Sequence, residues 1–213
     1  NNNRVEFDGT DEQRIRSGIS PFYDADFTGT LYRLEDALSL ENNMNLATGE
    51  MNTQGNTVGV ANDLTNCGRI FTEAGGVNLD VAGILTLRTV QGKSLETSGG
   101  DIDLTDCPDI HLASLDTAIT TGGSGLSGNI IFGGALDAET DSVTRNLSLT
   151  AGDGDVYFQG AVGGDNKVGN LVIENAGTVE ALSTIRAKRF NQKSGSKTIL
   201  HNDLRTTNGW VNI

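Results

Sequence analysis

Two stretches of this chain align without a gap at a separation of 26 positions: Gly128-Asn129-Ile130-Ile131-Phe132-Gly133-Gly134-Ala135-Leu136 on Gly154-Asp155-Val156-Tyr157-Phe158-Gln159-Gly160-Ala161-Val162. A unit of that size cannot bury its own apolar side chains. It must rest them on the next copy, and this requirement restricts the fold more than any other property of the sequence. Further echoes support a repeat. Asn146-Leu147-Ser148-Leu149-Thr150-Ala151-Gly152 matches Asn170-Leu171-Val172-Ile173-Glu174-Asn175-Ala176-Gly177 with one residue inserted before the Ala-Gly turn. Gly75-Gly76 and Gly99-Gly100 each lead into an apolar alternation. Leu64-Thr65-Asn66-Cys67 resembles Leu104-Thr105-Asp106-Cys107, 40 positions on, and Val5-Glu6-Phe7-Asp8-Gly9 repeats the frame of the 128–136 unit.

Within these units apolar residues alternate, as in Val77, Leu79 and Val81, in Leu147 and Leu149, and in Leu171 and Ile173. Period two means one face inward and one outward, hence strands. Between them lie Gly, Asn, Asp, Ser and Thr, which suit tight turns. The whole chain of 213 residues has 28 glycines, two prolines and 36% hydrophobic residues, thin for a globule but adequate for a narrow core fed by every coil. Leu31, Leu34 and Leu38 have helical spacing, yet Leu38 and Leu40 begin an alternation, and strand is favoured there.

Units of roughly 20 to 28 residues with two or three short strands match one circuit of a β-solenoid. Stacked at about 4.8 Å, about nine circuits extend on the order of 40 Å. Unequal repeat lengths are expected to bud from corners as loops. A pair of β-sandwiches is the main rival, but a sandwich has no reason to repeat at this period. The expectation is a single all-β segment over residues 1–213, and both ends read as cut from something longer.

The patterns at 128–136, at Asn146 to Phe158 and at Gly160-Ala161-Val162-Gly163-Gly164 resemble the β-strand-repeat regions of very large bacterial surface proteins, relatives of filamentous haemagglutinin and of adhesin-like or S-layer-type repeat proteins. Val5 to Gln13 and Leu46 to Val58 are similar to the same group. The resemblance implies a right-handed parallel β-helix, secretion, and a stalk, adhesin or assembly role at the cell surface; it carries no catalytic residues. The charged stretch Thr184-Ile185-Arg186-Ala187-Lys188-Arg189 and the two cysteines depart from that pattern.

Chemistry is sparse. A net charge of −13 opposes nucleic-acid binding, which needs clustered Lys and Arg. The basic run Arg186, Lys188, Arg189, Lys193 and Lys197 reads as the solvated side of a strand. No segment is long and apolar enough to span a membrane as a helix. Asp101, Asp103, Asp106 and Asp109, and separately Asp153 and Asp155, are weak calcium candidates, with ordinary solvated turns the favoured reading; no other cofactor is expected. His111 and His201 stand apart from any zinc or nucleophile pattern. Cys67 and Cys107 would occupy equivalent corners. Two circuits apart they would lie near 10 Å and stay unbonded; stacked in adjacent circuits they could bond; two small buried thiols are favoured. Asn146-Leu147-Ser148 fits a glycosylation sequon.

The functional expectation is a non-catalytic structural or adhesive surface segment, extracellular, whose partners are neighbouring repeats or copies of itself end to end. The alternative is a self-assembling filament, sheath or S-layer subunit. A carbohydrate-active β-helix enzyme or a tailspike-like protein ranks lower, since the single Trp, Trp210, gives no aromatic platform for sugar.

Overall fold

The structure is a computed structural model and describes residues 4–18, 20–89, 93–122, 125–140, 145–207 and 209–213. Among the described residues there are 25 strands and no helix. Each strand lies beside the equivalent strand of the next coil, and these pairings are parallel. The result is a β-solenoid of about nine turns. Parallel pairing between successive coils disposes of the sandwich, which is built from antiparallel neighbours.

Three strand columns make the walls. The first runs from Arg4–Phe7 through Asp24–Phe27, Met44–Leu46, Leu64–Asn66, Ile84–Leu87 and Asp109–Leu112 to Ala135–Ala138, then by single bridges at Val162 and Ile185 to Leu204–Thr206. The second runs from Glu12–Ile15 through Leu31–Leu34, Glu50–Asn52, Arg69–Phe71, Lys93–Glu96, Asp116–Thr120 and Asn146–Thr150 to the long strands Val168–Ala181 and Ile185–Gln192, and then Val211–Asn212. The third begins at Phe22 and passes through Leu38–Leu40, Val58–Val60, Val77–Val81, Ile102–Leu104, Ile130–Phe132 and Val156–Phe158 to the later half of Val168–Ala181 and to Gly195–Leu200.

The 26-residue repeat is one coil: Ile130, Ile131 and Phe132 pair with Val156, Tyr157 and Phe158, and the two Phe rings stack at 5.2 Å. The inserted residue of the second repeat is also found, as a register shift after Leu149↔Ile173 that leaves Thr150 opposite Asn175. Val77 pairs with Ile102, so the two Gly-Gly entries lie on adjacent coils, offset by one. Inward side chains of all three columns form a single buried cluster from Ile15 to Phe190. Each fully buried Leu, Ile or Phe in it contributes about 1.5–3 kcal/mol over exposure.

Two of the echoes do not correspond to coils. Leu64–Asn66 belongs to the first column and Ile102–Leu104 to the third, so Cys67 and Cys107 sit at different corners. The turns also differ: Asn66, after the inward Leu64, accepts the Gly68 N–H at 3.1 Å, whereas the acceptor at the other corner is Asp103, before Leu104, which takes the Thr105 N–H at 3.0 Å. Likewise Val5-Glu6-Phe7 lies in the first column, where Phe7 stacks on Phe27 at 4.8 Å, and not in the column of Phe132. The segment with helical spacing is strand, Leu31–Leu34 and Leu38–Leu40, with Tyr32 and Leu34 turned inward. In Ile185–Gln192 the apolar Ile185, Ala187 and Phe190 are buried, and Arg189 is exposed.

Candidate functional surface

Corners repeat a side-chain device. At the entry to the third column, Asp101 accepts the Asn129 N–H at 2.6 Å, Asn129 accepts that of Asp155 at 2.9 Å, and Asp155 accepts that of Thr178 at 2.6 Å. At the entry to the first column, Asp24 takes the N–H of Asn43, Asn43 that of Asp63 and Asp63 that of Ile84, at 3.0, 3.2 and 2.9 Å. A short acceptor beside each column satisfies backbone donors that a bend would leave unpaired.

This places the calcium candidates. Asp101 and Asp155 belong to one ladder, separated by Asn129 and already bonded to backbone. Asp103 accepts from both the N–H and the hydroxyl of Thr105, and Asp155 also accepts the Tyr157 hydroxyl at 2.9 Å. Asp153 lies at the preceding bend, where its N–H donates to the Leu126 carbonyl. Among the described residues no three His, Cys, Asp or Glu side chains gather as a metal-ligand group.

His111 faces outward with Nε2 3.1 Å from an Asp109 oxygen, and His201 contacts Glu180 at 2.8 Å. Both cysteines are free. Cys107 is fully buried, its thiol 3.1 Å from the Leu79 carbonyl oxygen, and burial raises its pKa to about 12. Cys67 is half-buried and also raised, by burial, with Arg88 opposing. Neither has the lowered pKa of a nucleophile.

A concavity of about 890 Å³ lies elsewhere, along the corner between the first and second columns. Its floor is the outward row Ala118, Ser148 and Val172; its walls include Arg88, Leu115, Arg145, Lys93 and Glu174. Beneath the near wall runs a third ladder. Asn146 donates to Asp116 at 2.7 Å and accepts the Asn170 N–H at 2.8 Å. The same asparagine is the sequon residue, and both its side-chain bonds hold neighbouring coils. Sequence reasoning missed this groove. Its one legible trace was the Asn-Leu start shared by the repeats at Asn146 and Asn170.

No protein-family model, curated protein or solved structure matches the chain. Among the described residues no helix is long and apolar enough to cross a membrane.

Proposed function

We propose that the chain is a non-catalytic scaffold, a segment of a solenoid rod at the cell surface or outside the cell. The observation that supports this is the continuity of the core together with its corner ladders: inward side chains stack from coil to coil, and the acids suspected of binding chemistry largely bond backbone instead. The likeness to surface-repeat proteins supports the location, and it is a likeness of pattern alone. Small-angle scattering of the purified chain tests the reading. Monodisperse particles about 40 Å in axial length, with no hydrolase or lyase turnover of polysaccharides, fit a passive rod; turnover that disappears on substituting groove residues defeats it.

A second reading, end-to-end association, is favoured by the final coil. Leu200, Trp210, Val211 and Ile213 are exposed there, Trp210 at 58%. From Thr184 onward there are six Lys or Arg and one Asp, on a chain whose net charge is −13. Either a further coil of the same polypeptide or the acidic first coils of another copy would cover this face. Concentration-dependent fibres, lost in Trp210→Ser, favour association between copies.

A further inference from the structure

We infer that the groove between the first and second columns binds a neutral, hydroxyl-rich oligosaccharide. The proposal goes beyond the scaffold reading without resting on it, since a rod that binds nothing would keep its coils.

Two atoms carry the argument. Arg145 Nε and Asn170 Oδ1 are buried side-chain polar atoms with no hydrogen-bond partner, and both residues line the groove. They lie on adjacent coils in near-equal register, since the Gly169 N–H donates to the Arg145 carbonyl at 2.6 Å. The Arg145 side chain is only 14% exposed. Thr117, whose hydroxyl also lacks a partner, is an inward position opposite Leu147 and belongs to the core. A buried donor and a buried acceptor left unpaired are each costly. A hydroxyl can serve a donor on one coil and an acceptor on the next, its oxygen accepting from Nε–H while its proton goes to Oδ1.

The charges select a neutral ligand. Glu139 bonds Arg88 at 2.5 Å and lies 3.8 Å from Arg145; Lys93 is paired with Glu96, and Glu174 with Lys193 at 2.8 Å. Arg88 and Arg145 share Glu139, and Asp116 also lines the groove. Arg88, Lys93, Arg145 and Lys193 thus stand against Asp116, Glu139, Glu96 and Glu174, which leaves no net positive charge for a phosphate or a uronate. The paired groups keep further N–H donors and carboxylate lone pairs, as sugar hydroxyls require. From Arg88 to Asn170 the groove crosses four coils, a span of about 14 Å. That length fits a few sugar units of a linear chain. With no aromatic residue in the lining, affinity is expected to be weak, Kd about 0.1–10 mM.

The test is NMR titration of the intact chain with maltohexaose, cellohexaose and chitohexaose, with trigalacturonate as the charged comparison. At least one neutral hexasaccharide should give saturable shifts. Affinity should fall tenfold or more in Ser148→Trp, which fills the floor, and several-fold in Arg145→Met. It should persist in Ser39→Trp, an exposed third-column position in a short coil, with the melting temperature monitored for all three. Absence of saturable binding by all three neutral sugars at 10 mM overturns the proposal, as does binding that survives Ser148→Trp. Tighter, salt-sensitive binding of trigalacturonate overturns the neutral class. Should Ser148→Trp fail to fold, an unchanged affinity in Arg145→Met overturns the proposal by itself.

Discussion

The first coils and the middle coils use the same three columns with different amounts of chain. Up to Ile84, paired residues on adjacent coils are 18 to 21 positions apart, as in Glu12↔Leu31 and Met44↔Leu64. Across the middle the separation rises to between 23 and 30, as in Ile84↔Asp109, Asp116↔Asn146 and Val156↔Val179, before returning to 19 at Ile185↔Leu204. Strands from Arg4–Phe7 to Val156–Phe158 all hold three to five residues. The surplus goes into corners: the connection between the first and second columns takes residues 28–30, 47–49 and 67–68 in short coils against 88–92 and 139–145 in long ones, and that between the second and third takes 35–37 against 121–129. The groove lies among the long coils, lined by Arg88, Leu115, Arg145 and Asn170. The core specifies the coil, and the corner is where the chain can vary.

If that division holds, damage should depend on column position and not on coil length. The largest effect is expected where backbones of successive coils touch. A Cβ on Gly134 would run into the Pro108 carbonyl, so Gly134→Val should abolish cooperative unfolding in a denaturant titration. Gly59 is the contrast in a short coil: the nearest atom to its Cβ would be the Leu38 oxygen at 3.9 Å, and Gly59→Ala should leave stability within about 1 kcal/mol. Next, Phe132→Ala in a long coil and Leu64→Ala in a short one should each lose about 2–5 kcal/mol by urea denaturation, since both are fully buried in the same cluster. A loss confined to one region would break the comparison.

A smaller effect separates the two regions at the corner between the second and third columns. Buried threonines stack there: Thr53, Thr72, Thr97 and Thr121, each bonded through its N–H to the next coil. Thr121 donates its hydroxyl to the Gly128 carbonyl at 2.8 Å, while the Thr53 hydroxyl has no partner. Thr121→Val should therefore cost about 1 kcal/mol, and Thr53→Val should be neutral or stabilising, by the same titration.

Smallest is a pH effect in the long coils. Asp137 is 5% exposed and accepts the N–H groups of Asp165 and Asn166, yet burial raises its pKa on balance, with Asp165 and Asp109 adding to the shift. The folded state thus holds this proton more tightly than the unfolded state. Its contribution is fully present below the unfolded pKa and is lost as pH rises through the folded one. Asp137→Asn, which keeps an acceptor oxygen, should remove that slope and raise Tm at neutral pH by a few degrees at most. Thiol chemistry gives a separate check: at pH 7.5 iodoacetamide should label half-buried Cys67 before Cys107.

What the sequence disclosed follows from what repeats. Inward residues must match the coil below, so the Phe132–Phe158 correspondence and the insertion before Asn175 were both visible as aligned letters. Corners obey local turn chemistry only, and they misled accordingly: the shared Leu-Thr-Asx-Cys spelling suggested equivalent cysteines, although Cys67 follows the first column and Cys107 the third. The groove was hidden for a related reason. It lies among coils whose connections differ in length, beside a row of small outward side chains, and outward rows carry no alternation signal beyond being polar.

Every wall strand lies across the rod, and its backbone hydrogen bonds reach toward the coils on either side. A pull between the two ends would therefore load those bonds in line with the force, coil upon coil, with no strand bearing the tension lengthwise. The layer with a neighbour on one side only would detach first, each step freeing one circuit of chain, so under force such a rod should pay out in instalments of roughly coil size and lengthen long before it severs.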